Sequence, residues 1–175
     1  DKKIIVLGAT SGDTGSAAIE ACKKFKDIDI AILFPHQKIS PVQQRQMTTS
    51  NAKNVFPLAV KGDFDDCQNY VKKMFIENDN EEVKFVSINS INWTRIMAQS
   101  VYFFSTRLQL KKDYRASIPS GNFGHAYAGW TAKNMGLSFK GINIATNKND
   151  VLHRLFSDDV YQKKETSPSL APSMD

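Results

Sequence analysis

The sequence is short of what marks a stapled, membrane-spanning or extended protein. Its 175 residues include only 2 cysteines, too few for a disulfide framework. Cys22 and Cys67 each sit among apolar neighbours with no second Cys or His at ligand spacing. That excludes a zinc site built on them and fits a reducing, cytoplasmic setting. No apolar run approaches the ~20 residues that cross a bilayer, and Ile4 to Leu7, after Lys2 and Lys3, is too short for a signal peptide. With 9 Gly and 6 Pro, collagen and low-complexity disorder are excluded. An excess of one charge is missing too: 23 basic against 18 acidic residues leave only +5. The lysines are dispersed in pairs (Lys23-Lys24, Lys72-Lys73, Lys111-Lys112, Lys163-Lys164) with no aromatic-interleaved basic stripe. Solvated faces are therefore expected, and no nucleic-acid partner.

What is present is an ordinary globular composition, 41% hydrophobic and 23% charged, arranged in alternating periods. Lys3 to Leu7, Ile28 to Phe34, Val55 to Val60, Lys84 to Ile88, Arg115 to Pro119 and Gly141 to Ala145 have the length and β-branched content of strands. Helical spacing fills the gaps. Cys67, Tyr70, Val71 and Met74 recur at one helix face behind the acidic start Asp63, Asp65, Asp66. Asn92 to Leu110 carries Trp93, Ile96, Met97, Val101, Phe104 and Leu108 on one stripe. Ala126 to Met135 is helix-prone and stops at Gly136, which suits a left-handed C′ position. Repeated β-then-α units predict an α/β fold: doubly wound parallel sheets with helices on both faces. The polar stretch Asn78 to Glu82 suggests two lobes, 1–84 and 85–175, and the Ser/Pro-rich tail Thr166 to Pro172 should be extended.

Two strand-to-helix loops carry the chemistry. Gly8-Ala9-Thr10-Ser11-Gly12-Asp13-Thr14-Gly15 combines three glycines with three hydroxyls beside a helix N-terminus, which suits a phosphate or carboxylate, though a purely structural tight turn has the same look. A dehydrogenase Gly-x-x-x-Gly-x-Gly would need glycine where Thr14 stands; the second strand ends Leu33-Phe34-Pro35 without an acid for a ribose; and no Tyr-x-x-x-Lys pair occurs. A Gly-x-Ser-x-Gly hydrolase elbow fails at Ala9. Pro119-Ser120-Gly121-Asn122-Phe123-Gly124-His125 is the second loop, again able to turn amides toward an anion. The segment Pro35 to Gln44, read as a loop, adds Lys38 and Ser40; Ser87 to Arg95 adds Asn89, Ser90, Asn92 and Arg95 at a strand end, with Asn92 equally explicable as an N-cap.

Ala9-Thr10-Ser11-Gly12-Asp13-Thr14-Gly15, Lys38-Ile39-Ser40-Pro41, Gly62-Asp63-Phe64-Asp65, Ser90-Ile91-Asn92-Trp93-Thr94-Arg95, Ser120-Gly121-Asn122-Phe123-Gly124 and Ala145-Thr146-Asn147 follow one another in an order and spacing that resembles the threonine synthase family. The resemblance spans nearly the whole chain. It implies a fold-type II (tryptophan synthase β-like) enzyme that uses pyridoxal 5'-phosphate to convert O-phospho-L-homoserine and water to L-threonine and phosphate. By that resemblance Gly121, Asn122, Phe123, Gly124 and His125 would bind the cofactor phosphate, and Thr10, Ser11, Gly12, Asp13 and Thr14 the substrate's amino-acid end. Lys38, Ser40, Asn89, Ser90, Asn92 and Arg95 become candidates for the substrate phosphate from charge and position. The family's Schiff-base lysine stands in a Phe-Lys-Asp setting upstream of the first loop, so it is expected outside this chain. Phe25-Lys26-Asp27 repeats the tripeptide on the wrong side of the loop. Ser169 to Asp175 resembles a stretch after which the family continues, so the chain is expected to be a central fragment, inactive alone. His125 replaces the family's usual Asn or Asp. A non-catalytic anion- or partner-binding module on the same fold is the alternative, and an NAD-dependent oxidoreductase the third reading.

Overall fold

In the computed structural model, residues 2–90, 92–162, 164–171 and 174 are described. Twelve elements alternate in order: β1 (Lys3–Ala9), α1 (Asp13–Cys22), β2 (Ile28–Pro35), α2 (Pro41–Thr48), β3 (Val55–Val60), α3 (Phe64–Ile76), β4 (Val83–Ser87), α4 (Trp93–Leu110), β5 (Arg115–Pro119), α5 (Gly124–Asn134), β6 (Gly141–Ala145) and α6 (Val151–Asp158). They form two compact units, Asp1–Asn89 and Ser90–Asp175.

The first unit holds a parallel four-stranded sheet in the order β3-β2-β1-β4. Alternation along the strands sends side chains to two cores. Val6, Ile30, Ile32 and Phe34 pack with Ala18 and Ile19 of α1 and Met47 of α2, while Leu7 and Leu33 pack with Cys67 and Val71 of α3 on the opposite face. Helices therefore cover both faces, as the doubly wound pattern requires. The chain winds from β1 outward to β3 and then returns to β4 on the other side of β1. That reversal is the topological switch point, beside which folds of this kind take ligands at the carboxyl ends of the strands.

The lobe boundary differs from the 84/85 division suggested by composition. The strand beginning near Lys84 pairs along β1 from Lys3↔Val83 to Leu7↔Ser87, because central β1 needs a second neighbour, so the first unit runs on to Asn89. The segment Pro35 to Gln44 is loop only as far as Ser40: Pro41 supplies a preset φ at the first helical position, and Ser40 and Gln43 form a reciprocal capping box that starts α2.

In the second unit β5 and β6 pair in parallel, and Ile118, Ala116, Ile142 and Ile144 face Ile96 and Phe103 of α4 and Ala126, Ala128 and Ala132 of α5. The other face of this pair carries Arg115, Ser117 and Asn143, joined by side-chain hydrogen bonds. The expected stripe on α4 divides: Ile96, Ser100 and Phe103 are buried, whereas Trp93, Val101 and Leu108 are exposed, because one seam of the helix meets α5. Asn92 is the N-cap of that helix, accepting from the Thr94 amide at 3.0 Å. Gly136 follows α5 at φ +98°, and the Leu137 amide reaches back to the Ala132 carbonyl, the left-handed stop the sequence predicts.

Candidate functional site

Every candidate site residue lies at the carboxyl end of a strand or in the first turn of the next helix. In the first unit the β1–α1 loop is organised from below by Thr10. Its side chain is 2% exposed, and its hydroxyl oxygen accepts from the amides of Gly12 and Gly15, both at 2.9 Å. Thr10 therefore holds the loop, and the outward-facing groups are Ser11, Asp13 and Thr14. Gly12, at φ +142°, occupies backbone space that L side chains rarely enter. Asp13 opens α1, where a carboxylate is favoured by the helix dipole.

The β2–α2 loop lies alongside. Ile39 plugs into the core while Lys38 is exposed and Ser40 half-buried on either side of it. The Ser40 hydroxyl accepts from the Gln43 amide at 3.2 Å. Lys38 also acts on Asp63. The Asp66 amide at the start of α3 holds the Asp63 carboxyl below the usual carboxylate range, and the Lys38 charge contributes in the same direction. Asn89, after β4, completes the strand-end set of this unit. Phe25, Lys26 and Asp27 lie between α1 and β2, at the amino end of the sheet, away from the loops.

In the second unit the β5–α5 loop is again built by its own side chains. Ser120, buried, accepts from the Phe123 amide at 2.9 Å, and Asn122 accepts from the Gly124 amide at 3.0 Å. Phe123 takes the left-handed conformation, φ +63°, and its ring lies 5.6 Å from that of Phe156 on α6. Among the described residues the amides of Gly121 and Asn122 have no protein acceptor, and they stand before the eleven-residue helix α5. A phosphate fits that donor set: two unclaimed amides, a serine hydroxyl and the positive end of a helix.

Close packing places both the glycines and the histidine of this loop. Neither Gly121 nor Gly124 has positive φ; a Cβ at Gly121 would come within 2.7 Å of the Met174 carbonyl oxygen, and one at Gly124 within 3.0 Å of the Ser90 carbonyl oxygen. These glycines make room for neighbouring backbone, and the left-handed position falls on Phe123. His125, in turn, directs its ring into the helix packing. Its Nδ1 is 2.9 Å from Gln99 Oε1 on α4 and its ring centroid 5.0 Å from that of Phe103. Burial pushes its pKa down, favouring neutral imidazole. The imidazole contact with a phosphate that the sequence suggested therefore gives way to a ring packed on α4.

The candidate set for the substrate phosphate divides between the units: Lys38, Ser40 and Asn89 in the first; Ser90, Asn92 and Arg95 in the second. Ser90 is brought against Gly124, beside the β5–α5 loop. Sequence reasoning missed Gln43, whose Nε2 donates to Asp13 Oδ1 at 2.8 Å, although its place three residues after Ser40 is a capping-box signature. It also passed over Ser120 and the paired asparagines after β6. There Asn149 exchanges hydrogen bonds with the backbone of Ser167 and Asn147 donates to Ser169, tying down the tail. No helix among the described residues is long and apolar enough to cross a membrane.

The chain is similar to a threonine synthase of Pseudomonas aeruginosa, 49% identical over 178 residues, covering 99% of this chain and 38% of that protein. Among solved structures it is similar to a PLP-bound threonine synthase from Brucella melitensis (46% identity, TM-score 0.85, 99% of this chain and 38% of that one). A threonine synthase from Escherichia coli matches with TM-score 0.88 at 38% identity, over 99% of this chain and 42% of that one. The chain thus spans about two fifths of the length of these relatives. The model of the pyridoxal-phosphate dependent enzymes matches residues 1–175, the whole of the chain, which therefore belongs to that family.

Proposed function

We propose that the protein containing this chain is a threonine synthase, converting O-phospho-L-homoserine and water to L-threonine and phosphate in the cytoplasm. The observation that carries the reading is the 49% identity to a threonine synthase along the entire chain, both anion loops included. Bound pyridoxal 5'-phosphate supplies the electron sink for carbanion chemistry. This chain's residues bind and orient. The amides of Gly121 and Asn122, the Ser120 hydroxyl and the start of α5 hold the cofactor phosphate, with Asn122 and Phe123 fixing the loop's shape. Ser11, Thr14 and the start of α1 receive the substrate's amino-acid end, where the Asp13 carboxylate is a counter-charge for an ammonium group. Lys38, Ser40, Asn89, Ser90, Asn92 and Arg95 offer charge and hydrogen bonds to the substrate phosphate.

The complete protein, loaded with cofactor and given O-phospho-L-homoserine, should release phosphate and L-threonine in equal amounts. Phosphate release without threonine, or no release, overturns the reading. Arg95→Ala and Lys38→Ala should each raise KM for this substrate while leaving cofactor content unchanged.

A further inference from the structure

We propose that Gln43 is a positioning residue that ties the two loops of the first unit together, so that the amino-acid end and the phosphate end of the substrate are presented at a set separation. The proposal rests on the site reading above and adds a residue that touches neither end. Gln43 is the third residue of α2 and is 7% exposed. Its Oε1 accepts from the Ser40 amide at 3.2 Å, in the loop that carries Lys38. Its Nε2 donates to Asp13 Oδ1 at 2.8 Å, in the loop that carries Ser11 and Thr14. Its carboxamide also lies flat against Gly12, where a Cβ would collide with Cδ, Nε2 and Oε1 alike.

The chemistry is selective for glutamine. One end must accept from an amide and the other must donate to a carboxylate; a glutamate has no donor, a lysine no acceptor, and a methionine of similar length has neither. A buried carboxamide in two hydrogen bonds also loses more when one partner is removed than a solvated one would. Thr10 holds the amides of its own β1–α1 loop, whereas Gln43 links that loop to the neighbouring one.

The test uses the complete protein and three variants: Gln43→Met, Gln43→Glu, and Gln43→Glu combined with Asp13→Asn. In the last, the amide introduced at position 13 donates to the carboxylate introduced at 43, inverting the pair without changing its geometry. Hydrogen exchange without substrate should show the Gly12 to Gly15 amides exchanging about tenfold faster in Gln43→Met, with α3 unchanged. KM for O-phospho-L-homoserine should rise about tenfold with a smaller change in kcat, as expected when ground-state positioning is lost. Gln43→Glu should be worse, and the double variant should recover part of its loop protection; KM is read only in the single variants, because Asp13→Asn also removes the counter-charge proposed for the substrate ammonium. Unchanged loop exchange in Gln43→Met, or a double variant whose loop exchanges as fast as in Gln43→Glu alone, overturns the proposal. If the unsubstituted protein does not turn over this substrate, the threonine synthase reading falls, and loop exchange with its recovery in the double variant still decides whether Gln43 ties the loops.

Discussion

Replacing Thr10 by valine removes one oxygen and almost no volume, and the structure says what that oxygen does. It accepts two amide hydrogen bonds, from Gly12 and Gly15 at 2.9 Å each, in a place where the side chain is 2% exposed and both glycines are buried. Valine keeps the methyl that packs beside Gly15 but removes the acceptor of two buried N–H groups. Each orphaned amide costs about 1–3 kcal/mol, so Thr10→Val should destabilise the first unit by about 2–6 kcal/mol, a shift of about 1–3 M in a urea midpoint at a slope of about 2 kcal/mol/M. Thr10→Ser keeps the oxygen and should lose far less. Urea unfolding by far-UV circular dichroism follows both units, whereas Trp93 and Trp130, the only 2 tryptophans, both report the second. The destabilisation should appear in the dichroism and be weaker in the fluorescence. A valine variant whose dichroism transition overlays that of the parent would refute the claim that this hydroxyl builds the loop.

Two further outcomes follow from packing and burial. Gly129 lies in α5 against α4 and β6, where a Cβ would meet the Phe103 ring at 2.7 Å and Ile142 Cδ1 at 2.8 Å. Alanine normally stabilises a helix interior by up to ~1 kcal/mol over glycine, but overpacking costs about 1–3 kcal/mol, so Gly129→Ala should lower the thermal midpoint; a rise would mean the α4–α5 seam is loose. His125 has its pKa lowered by burial from 6.5 in the folded chain. Below that ordinary value the unfolded chain takes up a proton that the folded chain resists, so stability should fall as pH drops from about 6.5 toward the lower folded value. His125→Phe should flatten that part of the profile, and identical slopes in parent and variant would place the imidazole in solvent.

The parts of the fold that were legible are those set by long runs of one period. β3, β5 and β6 occupy the same residues in sequence and structure, and α3 starts at the acidic turn that marks it. β4 was misassigned to the second lobe because nothing local distinguishes an edge strand of one sheet from the first strand of the next; only the pairing with β1, distant in sequence, decides it. The α4 stripe reads as one apolar face, yet its burial depends on which seam meets α5, and helix period carries no information about the partner.

The candidate site divides along a different line. A loop that binds an anion needs hydroxyls, amides and glycines, and a loop that holds its own shape needs the same groups, so composition cannot separate the two tasks. Burial and pairing can. Thr10 and Ser120 are buried with their oxygens accepting from loop amides, while Ser11 and Thr14 beside Thr10, and Lys38 in the β2–α2 loop, are half-buried or exposed. Asn122 spends its oxygen on the start of α5, and Phe123 takes a left-handed backbone that a sequence reader would assign to the adjacent glycines. In the second unit both Ser120 and Asn122 hold the loop in this way, which on the proposed reading leaves the amides of Gly121 and Asn122 and the Ser120 hydroxyl hydrogen for recognition. The first unit needs one thing more. On the function proposed above, its two loops would carry groups for opposite ends of one small molecule, and an error of 1 Å between them would misplace both. A single carboxamide that must donate one way and accept the other is a stricter ruler than any apolar contact, because sliding either loop breaks a hydrogen bond outright.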